Sequence, residues 1–427
     1  MTTLTQAALT RRQVLASTAA VALAAGMAPA LAQEKVKLDF WDMIWGPPEY
    51  IDAAKALVAK FNAENPTIEV EYRSIPWSDW YQTFLTAIGS GSAPDLSTGA
   101  GYQAVQLYDQ GAIRPVDDLI AELKASGEAD DFLPGTIDTL RYEDKYVAVP
   151  WGIDIRVWYY RKDLLEAAGL QPPAGWAELR EQAKALTKDG VYGFVSAGDT
   201  GGSHTLYNAI LNNGGGLFTE DRQLDLRSDA NMQAFQLLAD MVKDGSVSPA
   251  STGYSSEDKR AAFNRGEAAF MLDGPGAIAQ AGEVGAKIGI VPPMTGPSGD
   301  KGTIFWVNNM MVYEQTEHPE EVKTFLKWWL ANNLPLWSEG HCGQIPARKS
   351  ISSNEYFTAN EPVNYVIANY VPVGKTTATH ASGIFPALND VEGEGVMQSF
   401  VQQLWQGEEL GTILDTAEGR LKSILGS

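Results

Sequence analysis

The sequence predicts an α/β fold of two lobes, each a mostly parallel sheet flanked by helices, joined by hinge crossovers. Three observations carry this expectation. Strand and helix patterns alternate as β-α-β-α-β-α from Val36 to Gln110; a similar alternation resumes beyond Asp154; and two segments containing proline and glycine, 150–154 and 292–302, stand where the chain can pass between units.

The first strand is read from the alternation Val36, Leu38, Phe40, which buries one face. Pro47, Pro48 and Glu49 then open a helix with Ala54, Leu57, Val58 and Phe61 on one side, closed before Asn65 and Pro66. Ile68, Val70 and Tyr72 make a second strand. Ser78 caps the next helix, which turns Tyr81, Phe84, Leu85 and Ile88 inward and ends at Gly89. Residues 94–98 form a third strand and 102–110 a third helix. Such an order implies parallel strands joined by right-handed crossovers, with ligands outside the carboxyl ends of the strands. The loops at those ends are 41–46, 74–77 and 99–103, and each carries aromatic or polar side chains.

Residues 146–160, YVAVPWGIDIRVWYY, read as a strand, a five-residue break and a second strand, so the break at 150–154 is a crossing between lobes. Beyond it, 157–160 is strand-like, 163–168 and 176–186 helical, 192–196 a strand, 203–212 a helix, 231–242 a long amphipathic helix and 268–272 a buried strand. The second crossing, 292–302, precedes a strand over 303–313. One lobe is therefore expected from 33–149 with about 303–330, and the other from 150–302 with about 331–427.

The first 32 residues read as an export signal rather than as part of the fold. Arg11 and Arg12 precede a short apolar stretch, and Ala30 and Ala32 offer the small residues a signal peptidase reads. The stretch is too short to span a bilayer, which takes about 20 apolar residues. The paired arginines resemble a twin-arginine signal, although Val14 replaces the usual Phe, which leaves Sec export open. No cysteine at the cleavage point offers a lipid anchor. Cleavage leaves 427 − 32 = 395 residues and takes the formal charge from −21 to −23. An acidic chain of this kind repels nucleic acid and anionic membrane surfaces. The sole cysteine, Cys342, forms no intramolecular disulfide, so the core holds without a covalent staple.

An ordered set of short motifs resembles a known family. Phe40-Trp41, the run from Asn65 to Val70, that from Gly91 to Leu96, Tyr146 to Pro150, Tyr159 to Leu164 and Gly266 to Met271 look like the motif string of extracellular solute-binding proteins of the maltose-binding type, in order from about Lys35 to Gly426. The resemblance implies the two-lobed periplasmic-binding-protein (Venus flytrap) fold, which closes on a ligand and delivers it to an inner-membrane ABC permease. It further implies a soluble periplasmic monomer without a cofactor or metal, carrying a mono- or disaccharide or a small derivative, neutral or anionic. By position in the family's loops, the ligand contacts are Asp42, Trp45, Trp77, Tyr102, Gln103, Trp151 and Asp154 on the first side and His204, Trp306, Asn308, Arg348 and Phe385 on the second. One departure stands out: Gly276 follows Asp273-Gly274-Pro275 where several relatives carry a Trp that forms a sugar shelf. A long maltodextrin is therefore not the expected ligand.

Sugars present C–H faces and hydroxyl rims, so their sites combine flat aromatic surfaces with paired hydrogen-bonding groups. Twelve tryptophans cannot all do this. Trp41, Trp80, Trp158, Trp328 and Trp329 are read as core, and Trp45, Trp77, Trp151 and Trp306 as cleft. Four site residues have a plainer alternative: Arg348 pairing with an acidic neighbour, His204 as an ordinary loop residue, Asp42 and Asp154 capping backbone groups. An anion grip by Arg348 would be the sharpest clue to ligand class. A secreted glycosidase working through a carboxylate pair is the competing function. Neither G-x-S-x-G nor H-E-x-x-H occurs, and Asn369 stands where a phosphate loop ending at Gly374-Lys375-Thr376 needs its first glycine.

Overall fold

A computed structural model of the chain describes residues 35–78 and 80–426; the expected leader, 1–32, lies outside them. β1 (Val36–Met43) buries alternate side chains at its start and all of them at its end, where sheet and helices cover both faces. α1 (Pro48–Glu64) opens with proline in its first turn, where the missing N–H costs nothing, and buries Tyr50, Ala54, Leu57, Val58 and Phe61 along one stripe. β2 (Ile68–Ile75), α2 (Trp80–Gly89), β3 (Leu96–Gly99) and α3 (Gln103–Asp109) complete the expected alternation. β1 pairs in parallel with β2 from Val36↔Ile68 to Met43↔Ile75, and with β3 at Phe40↔Leu96. Loops 44–47 and 100–102 therefore leave the same edge of one sheet.

The stretch expected to break at 150–154 does not break. β4 runs unbroken over Val149–Ile155, and the crossing falls at Arg156, before β5 (Val157–Arg161) joins a different sheet. Proline and glycine are tolerated because the ladder is irregular there. Asn308 pairs with Gly152 and Asn309 with Pro150, so Trp151 is the extra residue of a bulge, a device that re-aims a side chain.

The second lobe contains β6 (Tyr192–Val195), α4 (Thr200–Asn212), β7 (Ala268–Asp273) and β8 (Ile288–Ile290). β9 (Thr303–Tyr313) then returns to the first sheet, followed by β10 (Ile345–Pro346) and, late in the chain, α5 (Ala387–Gly393). The first sheet has the order β10-β4-β9-β3-β1-β2, and the second β8-β5-β7-β6. In the second sheet β7 pairs in parallel with β6, but β5 runs antiparallel to both β7 and β8. That sheet is mixed rather than mostly parallel, because β5 comes straight from the other lobe instead of through a local crossover helix.

Two cores result. Phe40, Phe61, Phe325 and Trp329 centre the first; Phe194, Phe235, Phe270 and Phe400 lie in the second. A smaller cluster of Ile153, Ile155, Tyr159, Ile345 and Tyr370 packs where the chain crosses. The chain remains with the first lobe longer than expected. Leu336, Trp337, Cys342, Ala347 and Phe357 all belong to the first core, because β10 adds to the outer side of β4 before the chain leaves for the second lobe.

Candidate functional site

Asp42 ends β1 pointing inward. Its Oδ1 accepts from Thr98 Oγ1 at 2.7 Å and its Oδ2 from Tyr50 OH at 2.9 Å and Tyr72 OH at 3.2 Å. Burial pushes its carboxyl up to about 7 against these hydrogen bonds. Thr98 Oγ1 in turn accepts from the backbone of Met43 and from Trp45 Nε1 at 3.2 Å, so Asp42 braces the loop that presents Trp45. Trp45 lies edge-on to Trp77 at 4.9 Å and to Trp151 at 5.1 Å; Trp77 continues to Trp80 at 6.2 Å, and Trp80 to Tyr81 at 5.6 Å. Trp77, 41% exposed, is pinned by its Nε1 to the carbonyl of Ile44 at 2.6 Å. An aromatic arc thus runs along the strand-end loops of the first lobe. Trp80, expected in the core, is half-buried and packs against the first core as well as continuing this arc.

Trp306 is buried with the second core. The ring of His204 lies 4.7 Å from its indole and the Arg156 guanidinium 5.2 Å, while Nε1 donates to both oxygens of Glu392 at 3.1 Å. Arg156 Nε donates to His204 Nδ1 at 3.0 Å, and another of its nitrogens pairs with Asp154. Burial, then the charge of Arg156, hold His204 well below its usual range, so the imidazole is neutral. His204 sits in α4, not in a loop. Burial also pushes Glu392 up to about 7.

Asn308 accepts from the Gly101 N–H at 3.3 Å and donates to Gln344 Oε1 at 2.8 Å. The indole of Trp306 comes so near Gly101, which has φ +31°, that a Cβ there would lie 2.7 Å from Trp306 Cδ1. Gln103 Oε1 accepts from the Ala100 N–H, but its buried Nε2, like the buried Nε1 of Trp151, has no partner. Tyr102 reaches across into the second core, where its hydroxyl accepts from Thr377 N at 3.0 Å and Oγ1 at 2.9 Å.

Of the expected contacts, Trp45, Trp77 and Trp151 pack together in the first lobe, with Trp45 and Trp151 buried in its core; Asp154, His204 and Trp306 gather round Arg156, with Trp306 buried in the second core; Asn308 bonds to Gly101, Tyr102 reaches Thr377, and Gln103 is buried at the start of α3. Two stand apart. Arg348 Nε donates to Asp131 at 2.6 Å and a terminal nitrogen lies 3.6 Å from Glu128, the acidic pairing that sequence left open. Phe385 packs edge-on against Phe218 at 5.0 Å in the second core. Sequence reasoning missed Arg156, Glu392, Tyr81 and Gln344. Arg156 had a usable signal, two residues from Asp154 near the end of a strand, where side chains two apart share a side. Glu392 had none. Gly276 has a local reason of its own: a Cβ there would stand 2.8 Å from Gly343 Cα, where the two lobes approach.

Two separately packed lobes joined by crossing strands agree with the similarities of the chain. Residues 47–332 match the family of bacterial extracellular solute-binding proteins. The chain belongs to that family. Its fold superposes with TM-score 0.86 on a sugar transporter from Arthrobacter chlorophenolicus A6 with bound laminaribiose, at 35% identity over 91% of this chain and 99% of that one. The maltose-bound MalE3 of T. maritima shares the fold at TM-score 0.78 and 23% identity, covering 91% of this chain and 100% of the other. Among curated relatives, the sn-glycerol-3-phosphate-binding periplasmic protein of Brucella melitensis biotype 1 is 27% identical over 440 residues, which is 95% of this chain and 96% of the relative. The solute-binding proteins are transport components, and no helix among the described residues is long and apolar enough to cross a membrane.

Proposed function

We propose that this solute-binding protein is the periplasmic receptor of an ABC importer, exported with a leader cleaved after Ala32, and that it encloses a neutral mono- or disaccharide between its lobes for delivery to the permease. The observation that supports the reading is the aromatic arc of Trp45 and Trp77 on the strand-end loops of the first lobe, together with Trp306, flanked by His204 and Arg156, and the amide pair Asn308–Gln344. Flat apolar faces beside directional donors and acceptors suit the two surfaces of a sugar ring. The buried, unpartnered donors Gln103 Nε2 and Trp151 Nε1 add hydrogen-bonding capacity that a hydroxyl can meet. Neutrality follows from the charges: Arg156 is matched by Asp154, and Arg348 is committed to Asp131 and Glu128. Asp42, sealed inside the first lobe, is not placed to serve a glycosidase.

The test is a thermal-shift and calorimetric panel of laminaribiose, maltose, monosaccharides and glycerol 3-phosphate, repeated with Trp77→Ala. A neutral sugar at 100 times its Kd should stabilise the protein by about 2.7 kcal/mol, and loss of the exposed indole should weaken its binding about tenfold, or about 1.4 kcal/mol. Binding of glycerol 3-phosphate alone would reject the neutral class, and sugar affinity indifferent to Trp77→Ala would reject this cleft.

A further inference from the structure

α5 touches both lobes. It is fixed in the second core by Leu388 and Val391. From the side turned to the first lobe, Asp390 Oδ1 accepts from both Tyr81 OH of α2 and Gln106 Nε2 of α3, and Asn389 Nδ2 donates to Gln106 Oε1 at 2.6 Å. Gly393, four residues after Asn389 and so on the same helix face, lies beneath the ring of Tyr81; a Cβ there would fall 2.7 Å from Tyr81 Cδ2. Glu392, on the adjoining turn, takes the Nε1 proton of Trp306 between its two oxygens and also accepts from Thr377 Oγ1 at 3.2 Å, the hydroxyl that meets Tyr102 of the first lobe.

We propose that α5 couples ligand recognition to lobe closure: Asn389, Asp390 and Gly393 hold the first lobe while Glu392 positions Trp306. The inference rests on the solute-binding reading and adds a function for residues outside the proposed ligand contacts. Contacts between lobes that the protein makes with itself favour the closed form whatever the ligand. The apparent affinity then scales with the closed fraction these contacts support. Glu392 is a positioning residue, acting on the ligand through the indole it holds.

The experiment compares wild type with Gly393→Ala, Glu392→Ala and Glu392→Gln, by small-angle scattering without and with laminaribiose and by calorimetry with laminaribiose. Gly393→Ala inserts a methyl under Tyr81 at an ordinary helical position, so a larger radius of gyration and an affinity about fivefold weaker are expected. Glu392→Ala should show the same two changes, and Glu392→Gln, which keeps an acceptor for the indole, should restore both to near wild type. A wild-type radius in Gly393→Ala overturns the latch. Weakened affinity in Glu392→Ala with a wild-type radius overturns the coupling, since Trp306 would then be a platform independent of closure. If laminaribiose does not bind the wild type, the choice of ligand is wrong, and the radii alone decide whether α5 holds the lobes.

Discussion

Arg156 donates from Nε to Nδ1 of His204 at 3.0 Å while its guanidinium lies 5.2 Å from the ring of Trp306. One cation thus adds to the effect of burial on a neighbouring base and flanks the ring of Trp306. His204 titrates well below its usual 6.5, first through burial and then through this charge. Because the unfolded chain takes up the proton that the folded chain refuses, the contribution of His204 to stability is full above about 6.5 and is lost as pH falls from there toward the folded value. Arg156→Met should move the His204 titration upward, read by NMR of the ring protons. An unchanged titration would mean that burial alone sets it.

Asp42 has the opposite sign. Its carboxyl holds a proton up to about 7 in the fold, whereas the unfolded chain releases it near 3.9. Between those values the folded chain binds more protons, so this group makes unfolding easier as pH rises from 4 to 7, by at most about 1.4 kcal/mol per pH unit. Asp42→Asn should flatten that slope in denaturant melts. A slope identical to wild type would show that Asp42 is ionised throughout.

Asp273 is buried beside Lys259 Nζ at 3.2 Å and Arg260 Nε at 2.8 Å. Burial works to raise its carboxyl, but the charges of Arg260 and Lys259 outweigh it and hold the group well below the usual carboxylate range. Lys259 also donates to the Leu272 carbonyl at 2.8 Å. Removing one member of a buried ion cluster leaves charge uncompensated, so Lys259→Met should cost about 3–5 kcal/mol of stability. Chemical denaturation measures it; a loss under about 1 kcal/mol would place the cluster among weak surface pairs.

Arg348 gives a discriminating negative. Held by Asp131 and Glu128 and covering Phe132 at 5.7 Å, it should matter to stability by about 1 kcal/mol when changed to alanine. Affinities for laminaribiose and glycerol 3-phosphate should not change. A selective loss for the phosphate would return Arg348 to the cleft.

Long periodic elements were legible from sequence. The helix Trp176–Leu186 and the strand Thr303–Tyr313 have the expected bounds, because a stripe or an apolar run leaves little choice of state. The segment 150–154 misled because proline and glycine usually mark turns, whereas here they serve a bulge that aims Trp151 at Trp45. Residues in the strand-end loops, such as Trp45 and Trp77, could be placed by topology alone. Partners far apart in the chain could not: the Asp131 beside Arg348 and the Trp306 beside Glu392 are joined only by folding, and single residues carry no pattern that announces such pairs.

We propose that a small saccharide is enclosed between the two lobes. A crystal structure of the protein with laminaribiose tests it most directly. Sugar rings should lie against Trp45 or Trp77 and Trp306, with hydroxyls bonded to groups among Asn308, Gln344, His204 and Gln103. A sugar bound elsewhere, for instance in the open groove of the first lobe lined by Asp39, Trp41, Arg73 and Thr86, with the space between the lobes unchanged, would contradict it.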